Sequence, residues 1–123
     1  MTRARQALGV AGERVAARWL LRAGWTLVAH RFRSGRRDVD LVMRRGRTVA
    51  FIEVKTRRGE VFGGPIEAVH ARKQRELSRV AAVWVDRHGA PGEEYRFDVI
   101  GVLIQERRVR VRHVPDAFPA QAM

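Results

Sequence analysis

The chain contains no cysteine in its 123 residues. That absence excludes disulfides, thiolate metal sites and cysteine nucleophiles together, and it agrees with a reducing, cytoplasmic setting. No apolar run approaches the ~20 residues of a membrane span, and the N-terminus lacks the apolar core of a secretory signal, so the expectation is a soluble protein with no membrane contact. Asparagine is missing altogether. Lysine occurs only at Lys55 and Lys73, the other 23 of the 25 basic residues being arginine. A GC-rich genome produces that bias, so the arginine count alone says little about function. The two lysines say more: where only positive charge is wanted this chain writes arginine, so a retained lysine suggests a compact ammonium with an adjustable pKa.

Other chemistries lack their residues as well. His30, His70, His88 and His113 show no recurring ligand spacing, which argues against a zinc site. Ser34 and Ser78 have no nucleophile-elbow context, and Gly63-Gly64 lacks the lysine and hydroxyl of a phosphate-binding loop. Acyl transfer and nucleotide hydrolysis are therefore poorly supported.

What is abundant is positive charge. The formal net charge is +12, spread along the chain rather than confined to a tail. Such a field attracts polyanions before any specific contact forms, making nucleic acid the default partner. A chain of this length forms one domain and buries roughly two-thirds of its unfolded surface without a covalent staple.

Thr2 caps an expected helix over about 3–23, with Leu8, Ala11, Val15, Trp19 and Ala23 on its apolar stripe, Glu13 at the border of that stripe and Gly24 ending it. Strands are expected near 26–32, 37–43 and 48–55. A basic loop then leads to Pro65, which suits a first helical turn, and a second helix runs to about 86 with Val69, Leu77, Val80 and Trp84 on its stripe. Lys73 occupies the gap in that stripe, so its ammonium points towards the sheet. Strands near 95–104 and 108–114 follow, and the residues from Pro115 onward read as a loose tail. The expectation is a single α/β domain over 1–114, of order αβββαββ, with a mixed central sheet flanked by helices and a tail over 115–123.

The chemistry concentrates in Asp38-Val39-Asp40 and Phe51-Ile52-Glu53-Val54-Lys55. Alternation puts Asp38, Asp40 and Val42 on one face of a strand, and Phe51, Glu53 and Lys55 on one face of the next. A two-residue loop at Arg45-Gly46 would set Asp38 opposite Glu53. A four-residue loop over 45–48 would instead set Asp40 opposite Glu53 and Asp38 opposite Lys55. Either even-length loop gathers the four charges on one face, whereas a three-residue loop would reverse one strand. The preceding run Thr48-Val49-Ala50-Phe51-Ile52 reads as a strand covered on both faces, and charges leaving such a strand need a partner or a metal. The plain alternative is a cross-strand acid–base pair at a solvated sheet end, worth about 0.2–1 kcal/mol.

Glu13, Arg33, Asp38-Val39-Asp40-Leu41-Val42, Phe51-Ile52-Glu53-Val54-Lys55-Thr56-Arg57, Phe62-Gly63-Gly64-Pro65, Glu67-Ala68-Val69, Lys73 and Arg96-Phe97-Asp98-Val99 together resemble the uncharacterised bacterial YraN family. The resemblance runs from about Gly9 to Ile104. It implies a restriction-endonuclease-like core of the PD-(D/E)XK nuclease superfamily, similar to archaeal Holliday-junction resolvases. On that resemblance Asp40 and Glu53 match the metal-binding carboxylates, Lys55 the catalytic motif lysine, and Glu13 the helix glutamate that supplements the metal site; Asp38 and Lys73 support them. The chain departs from the family pattern at Arg37-Asp38, where Gly-Glu is usual, and at Arg31, where asparagine is usual.

The leading expectation is a metal-dependent endonuclease, a hydrolase of phosphodiester bonds that is structure-selective on DNA rather than RNA. Oxygen ligands from Asp40, Glu53 and Glu13 would take Mg²⁺ or Mn²⁺, while Lys55 orients the attacking water or stabilises developing charge. Arg33, Arg36, Arg57 and Arg58 would grip backbone phosphates without reading sequence. Trp19 and Trp84 are expected in the core, leaving little aromatic surface for base stacking. By analogy with small nucleases that cut two strands, a homodimer is expected. The rivals are a non-catalytic nucleic-acid-binding module that keeps the nuclease fold, and an adaptor whose arginine surface contacts acidic protein.

Overall fold

The structure, a computed structural model, describes residues 2–59 and 69–121. Thr2 accepts a hydrogen bond from the Arg5 N–H and caps helix α1, Arg3–Arg22. Five strands follow the expected pattern: β1, Thr26–Ser34; β2, Arg37–Arg45; β3, Thr48–Arg58; β4, Glu94–Ile104; and β5, Val109–Phe118. Helix α2, Ala71–His88, lies between β3 and β4, which gives the element order αβββαββ. The strands form one sheet in the order β1-β2-β3-β4-β5, with β3 and β4 parallel and the other neighbours antiparallel. The parallel pair is the one that needs a long crossover, and α2 supplies it.

Each face of the sheet carries its own core. Leu77, Val80, Ala81 and Trp84 of α2 pack on Val42, Val49, Phe51 and Val99, whereas Ala16 and Leu20 of α1 pack on Leu41, Met43, Ala50, Ile52 and Ile100. Consecutive residues of β3 thus enter opposite cores, as an apolar run without a polar side requires. No helix among the described residues is long and apolar enough to cross a membrane.

Three expectations are corrected. The buried stripe of α1 is Gly12, Glu13, Ala16 and Leu20, rotated from the Leu8, Val15, Trp19 line, and Trp19 remains 39% exposed. The cause is the closeness of the helix to β3: a Cβ on Gly12 would stand 1.8 Å from Thr56 Oγ1, so only the glycine line lets the helix seat. Helix α2 begins at Ala71 with His70 as its N-cap residue, so Val69 lies before the helix, while Pro65 and the motif 62–68 lie outside the described residues. The segment after Pro115 is not a loose tail as far as Phe118. It continues β5, because Phe118 is buried and stacks on Phe97 at 4.9 Å, and Pro115 is tolerated on an edge strand.

Candidate active site

The hairpin between β2 and β3 sets the register. Gly46 has a φ of 61° and Arg45 pairs with Thr48, so Gly46-Arg47 forms the turn, with glycine at the first central position as a II′ hairpin requires. The ladder then runs from Arg44↔Val49 to Leu41↔Ile52 and stops. One step further in the same register, Asp40 faces Glu53. This is the alignment of the longer-loop alternative, reached through a shorter turn placed one residue later.

Asp40 takes over where the ladder ends. The Val54 N–H donates to Asp40 Oδ2 at 2.7 Å, so a side-chain oxygen receives the bond that a backbone carbonyl would otherwise take. At the same point β1 and β2 exchange faces. Val39 joins the α2 core and Leu41 the α1 core although they are two residues apart, and on β1 Phe32 packs against the α2 core while His30 reaches Glu13 of α1. Arg31, between them, has a φ of 52°, the left-handed region. Asparagine enters that region more readily than other non-glycine residues, which gives a physical reason for it at this position. The reversal corrects the parity expectation for Asp38. With Val39 turned towards α2, Asp38 turns away from it, opposite Arg33 on β1 and within the field of Arg31.

Glu53 stays on the α2 face, following Phe51 of the α2 core. Its Oε2 lies 3.7 Å from Lys73 Nζ, as the gap in the α2 stripe implied. Lys55 is half-buried two residues further along β3, beside Gly101 of β4, a neighbour with no side chain to crowd it. Burial, and after it the negative charge of Glu53, pushes the Asp40 carboxyl up to about 8, against the Val54 N–H, which favours the anion. A hydrogen bond shared with Glu53 and the charge of Glu13 act in the same raising direction. Asp40 and Glu53 are therefore close enough for each charge to act on the other.

Glu13 is only 7% exposed and is held from β1. His30 Nε2 lies 2.7 Å from its Oε1, and the Arg31 guanidinium donates to both oxygens at 3.0 and 3.4 Å. Sequence reasoning missed this clamp, because the partners are separated by a helix end and half a strand and the left-handed turn at Arg31 aims the guanidinium. Among the described residues no three His, Asp or Glu side chains form a ready metal shell. Glu13 nevertheless lies near enough for its charge to act on Asp40. The Asp40–Glu53 pair itself fits a hard divalent cation, since Mg²⁺ is commonly held by one or two carboxylates with waters and substrate phosphate completing the octahedron.

Arg33, Arg36, Arg57 and Arg58 are exposed and make no side-chain ion pair among the described residues. Arg33 precedes the β1–β2 turn and Arg36 lies in it, and Arg57 and Arg58 end β3. Arg37 is directed elsewhere, 3.8 Å from Glu76 on α2. Trp19, expected in the core, instead stands edge-on to the His113 ring at 5.5 Å on the surface between α1 and β5. Asp98 of the Arg96-Phe97-Asp98-Val99 motif is fully buried. It accepts from Arg96 at 3.0 and 3.1 Å and from the Asp116 N–H at 2.9 Å, and it lies 2.7 Å from His113 Nε2. That motif joins β4 to β5 rather than adding a carboxylate to the Asp40 site.

A family profile described as "Uncharacterised protein family UPF0102" matches residues 12–102. The chain is 45% identical over 100 residues to a UPF0102 protein of Nocardia farcinica, covering 81% of this chain and 79% of that one. It is 44% identical over 113 residues to a UPF0102 protein of Beutenbergia cavernae, covering 91% and 96%. A Symbiobacterium thermophilum UPF0102 protein is 43% identical over 116 residues, covering 92% and 97%. The matched span runs from Gly12, where α1 meets β3, through Asp40, Glu53, Lys55 and Lys73 to β4, and the chain belongs to the UPF0102 family, the YraN family of the sequence motifs.

Proposed function

We propose that the protein is a metal-dependent endonuclease acting on DNA, with Asp40, Glu53 and Lys55 as its catalytic residues. The observation that carries the reading is the register that sets Asp40 opposite Glu53 where the β2–β3 ladder ends, with Asp40 fixed by the Val54 N–H and driven up to about 8 by burial and by its neighbour. Two neighbouring carboxylates, flanked by lysine on the α2 side, form a site whose repulsion a divalent cation relieves. Mg²⁺ or Mn²⁺ bound there supplies charge neutralisation at the phosphate and an acidified water.

The chain's own groups have separate tasks. Asp40 and Glu53 provide the oxygens and fix their spacing through the Val54 N–H and the register. Lys73 holds Glu53 from α2, and Lys55 places an ammonium beside the position where negative charge grows on the phosphate. Glu13, clamped by Arg31 and His30, adds negative potential that favours a cation at Asp40. Arg33, Arg36, Arg57 and Arg58 hold backbone phosphates, which positions a substrate without reading bases. Recognition then depends on the shape of the nucleic acid, and cutting both strands of a duplex calls for two copies of the chain.

The variant Glu53→Ala tests the assignment. Loss of at least about 100-fold in metal-dependent cleavage, with folding and salt-sensitive DNA binding retained, is the expected outcome. Full activity in that variant would remove Glu53 from the chemistry. The engagement of Glu13 by Arg31 favours one second reading, a nucleic-acid-binding module on the same fold. Salt-sensitive binding by the wild type without metal-dependent cutting would select it.

A further inference from the structure

Away from Asp40, a groove of about 540 Å³ opens between the C-terminal half of α2, the start of β4 and the chain beyond β5. Its lining is largely apolar, with Phe51, Ala81, Val85, Phe97 and Phe118 prominent. A space of that size accepts two or three side chains rather than one. Against this lining stand two carboxylates, Asp86 on α2 and Asp116 on β5. Both are exposed, and neither side chain has a hydrogen bond or ion pair among the described residues.

The chain has 25 basic residues to 13 acidic ones, and six of its described acids, Glu13, Glu53, Glu76, Glu93, Glu94 and Asp98, each hold an arginine or lysine. Among the described residues Arg96 is the one basic residue in the groove lining, and its guanidinium is committed to Asp98. The groove is thus an acidic-rimmed apolar surface on a protein of net charge +12. Phosphate is repelled there, and a positive ligand is attracted against the field of the rest of the molecule.

We infer that this groove docks a segment of a partner protein in which an apolar anchor is flanked by arginine or lysine, the anchor entering between Val85 and Phe118 and the cations meeting Asp86 and Asp116. The aromatic lining suits such a segment, since arginine and lysine stems pack on rings while their charged heads reach the rim. The inference is independent of the chemistry at Asp40. It gives the molecule a second surface of opposite charge preference, open while the arginines hold nucleic acid.

The test uses the full chain, isotopically labelled, titrated by NMR with acetyl-Arg-Leu-Trp-Arg-amide and with acetyl-Glu-Leu-Trp-Glu-amide as the charge-reversed control. The basic peptide is expected to shift the Ala82, Val85, Phe118 and Ala120 amides, and to bind at least about 5-fold more weakly to the Asp86→Asn, Asp116→Asn double variant. Asparagine is tolerated at the positive φ of Asp116, 50°, so the double variant keeps its backbone. The inference is overturned if the acidic peptide binds the groove as well as or better than the basic one. It is equally overturned if the basic peptide leaves those amides unmoved, or if the double variant binds as the wild type does.

Discussion

Asp40 carries two loads that conflict. Its Oδ2 must accept the Val54 N–H to close the gap at the end of the β2–β3 ladder, while its charge lies beside Glu53 and Glu13. Because its carboxyl is raised from the ordinary 3.8 to about 8, the folded state binds a proton there more tightly than the unfolded chain. Stability therefore falls as pH rises between those two values. Asparagine at this position mimics the protonated acid, accepting from Val54 and donating to Glu53. Asp40→Asn should raise stability by roughly 2 kcal/mol at pH 8 and change it little at pH 4, as denaturant unfolding at the two pH values will show. A variant less stable than wild type at pH 8 would contradict the cause given for the shift. Asp98 behaves in the opposite way. Burial works to raise its carboxyl, but His113, the Asp116 N–H and Arg96 together hold it below its ordinary value. Its contribution is present above the ordinary carboxylate range and is lost as pH falls below 3.8 through the depressed value. Asp98→Ala strands Arg96 and His113 and should cost about 3 kcal/mol at pH 7, measured by the same unfolding.

At the scale of elements, the seating of α1 on β3 decides where Glu13 stands. Gly12 removes the side chain that would strike Thr56, and Glu13 follows it directly into the clamp of His30 and Arg31. Gly12→Ala gains about 1 kcal/mol of helix propensity but overpacks a contact, which typically costs 1–3 kcal/mol. A net loss of about 1 kcal/mol is expected by denaturant titration, and stability equal to or above wild type would show that the contact is loose. Most element bounds could be read from the sequence. The Thr2 cap, the glycine turn and the two-sided apolar run of β3 are local signals that tertiary packing did not override. Leu77, Val80 and Trp84 of the α2 stripe and the approach of Lys73 to the sheet were legible for the same reason, although Val69 lies before the helix. The α1 stripe was not, since helical periodicity alone ranked Val15 and Trp19 above the small residues Gly12 and Ala16, whose merit is closeness to a strand absent from the local pattern. Nor was the face reversal at Arg31 and Asp40, because strand parity presumes extended φ throughout and one left-handed residue breaks it.

At the scale of the whole molecule, charge and chemistry are divided between surfaces. The arginines that end β3 and stand at the β1–β2 turn lie on the side of the Asp40–Glu53 pair, while the groove between α2 and β5 carries two acids without an ion pair, Asp86 and Asp116. The composition announced the first of these and concealed the second, since two aspartates do not stand out in a basic chain until the fold sets them beside an apolar lining. The central claim is that Asp40 and Glu53 hold a divalent cation for phosphodiester cleavage. Its most direct test is Mg²⁺ calorimetry on wild type and Asp40→Ala at pH 8.5, above the raised Asp40 value, with duplex, single-stranded and branched DNA then incubated in the same samples. The account predicts Mg²⁺ uptake by the wild type, loss of that uptake in the variant, and cleavage only where the metal is bound. No metal uptake by the wild type even with DNA present would contradict it.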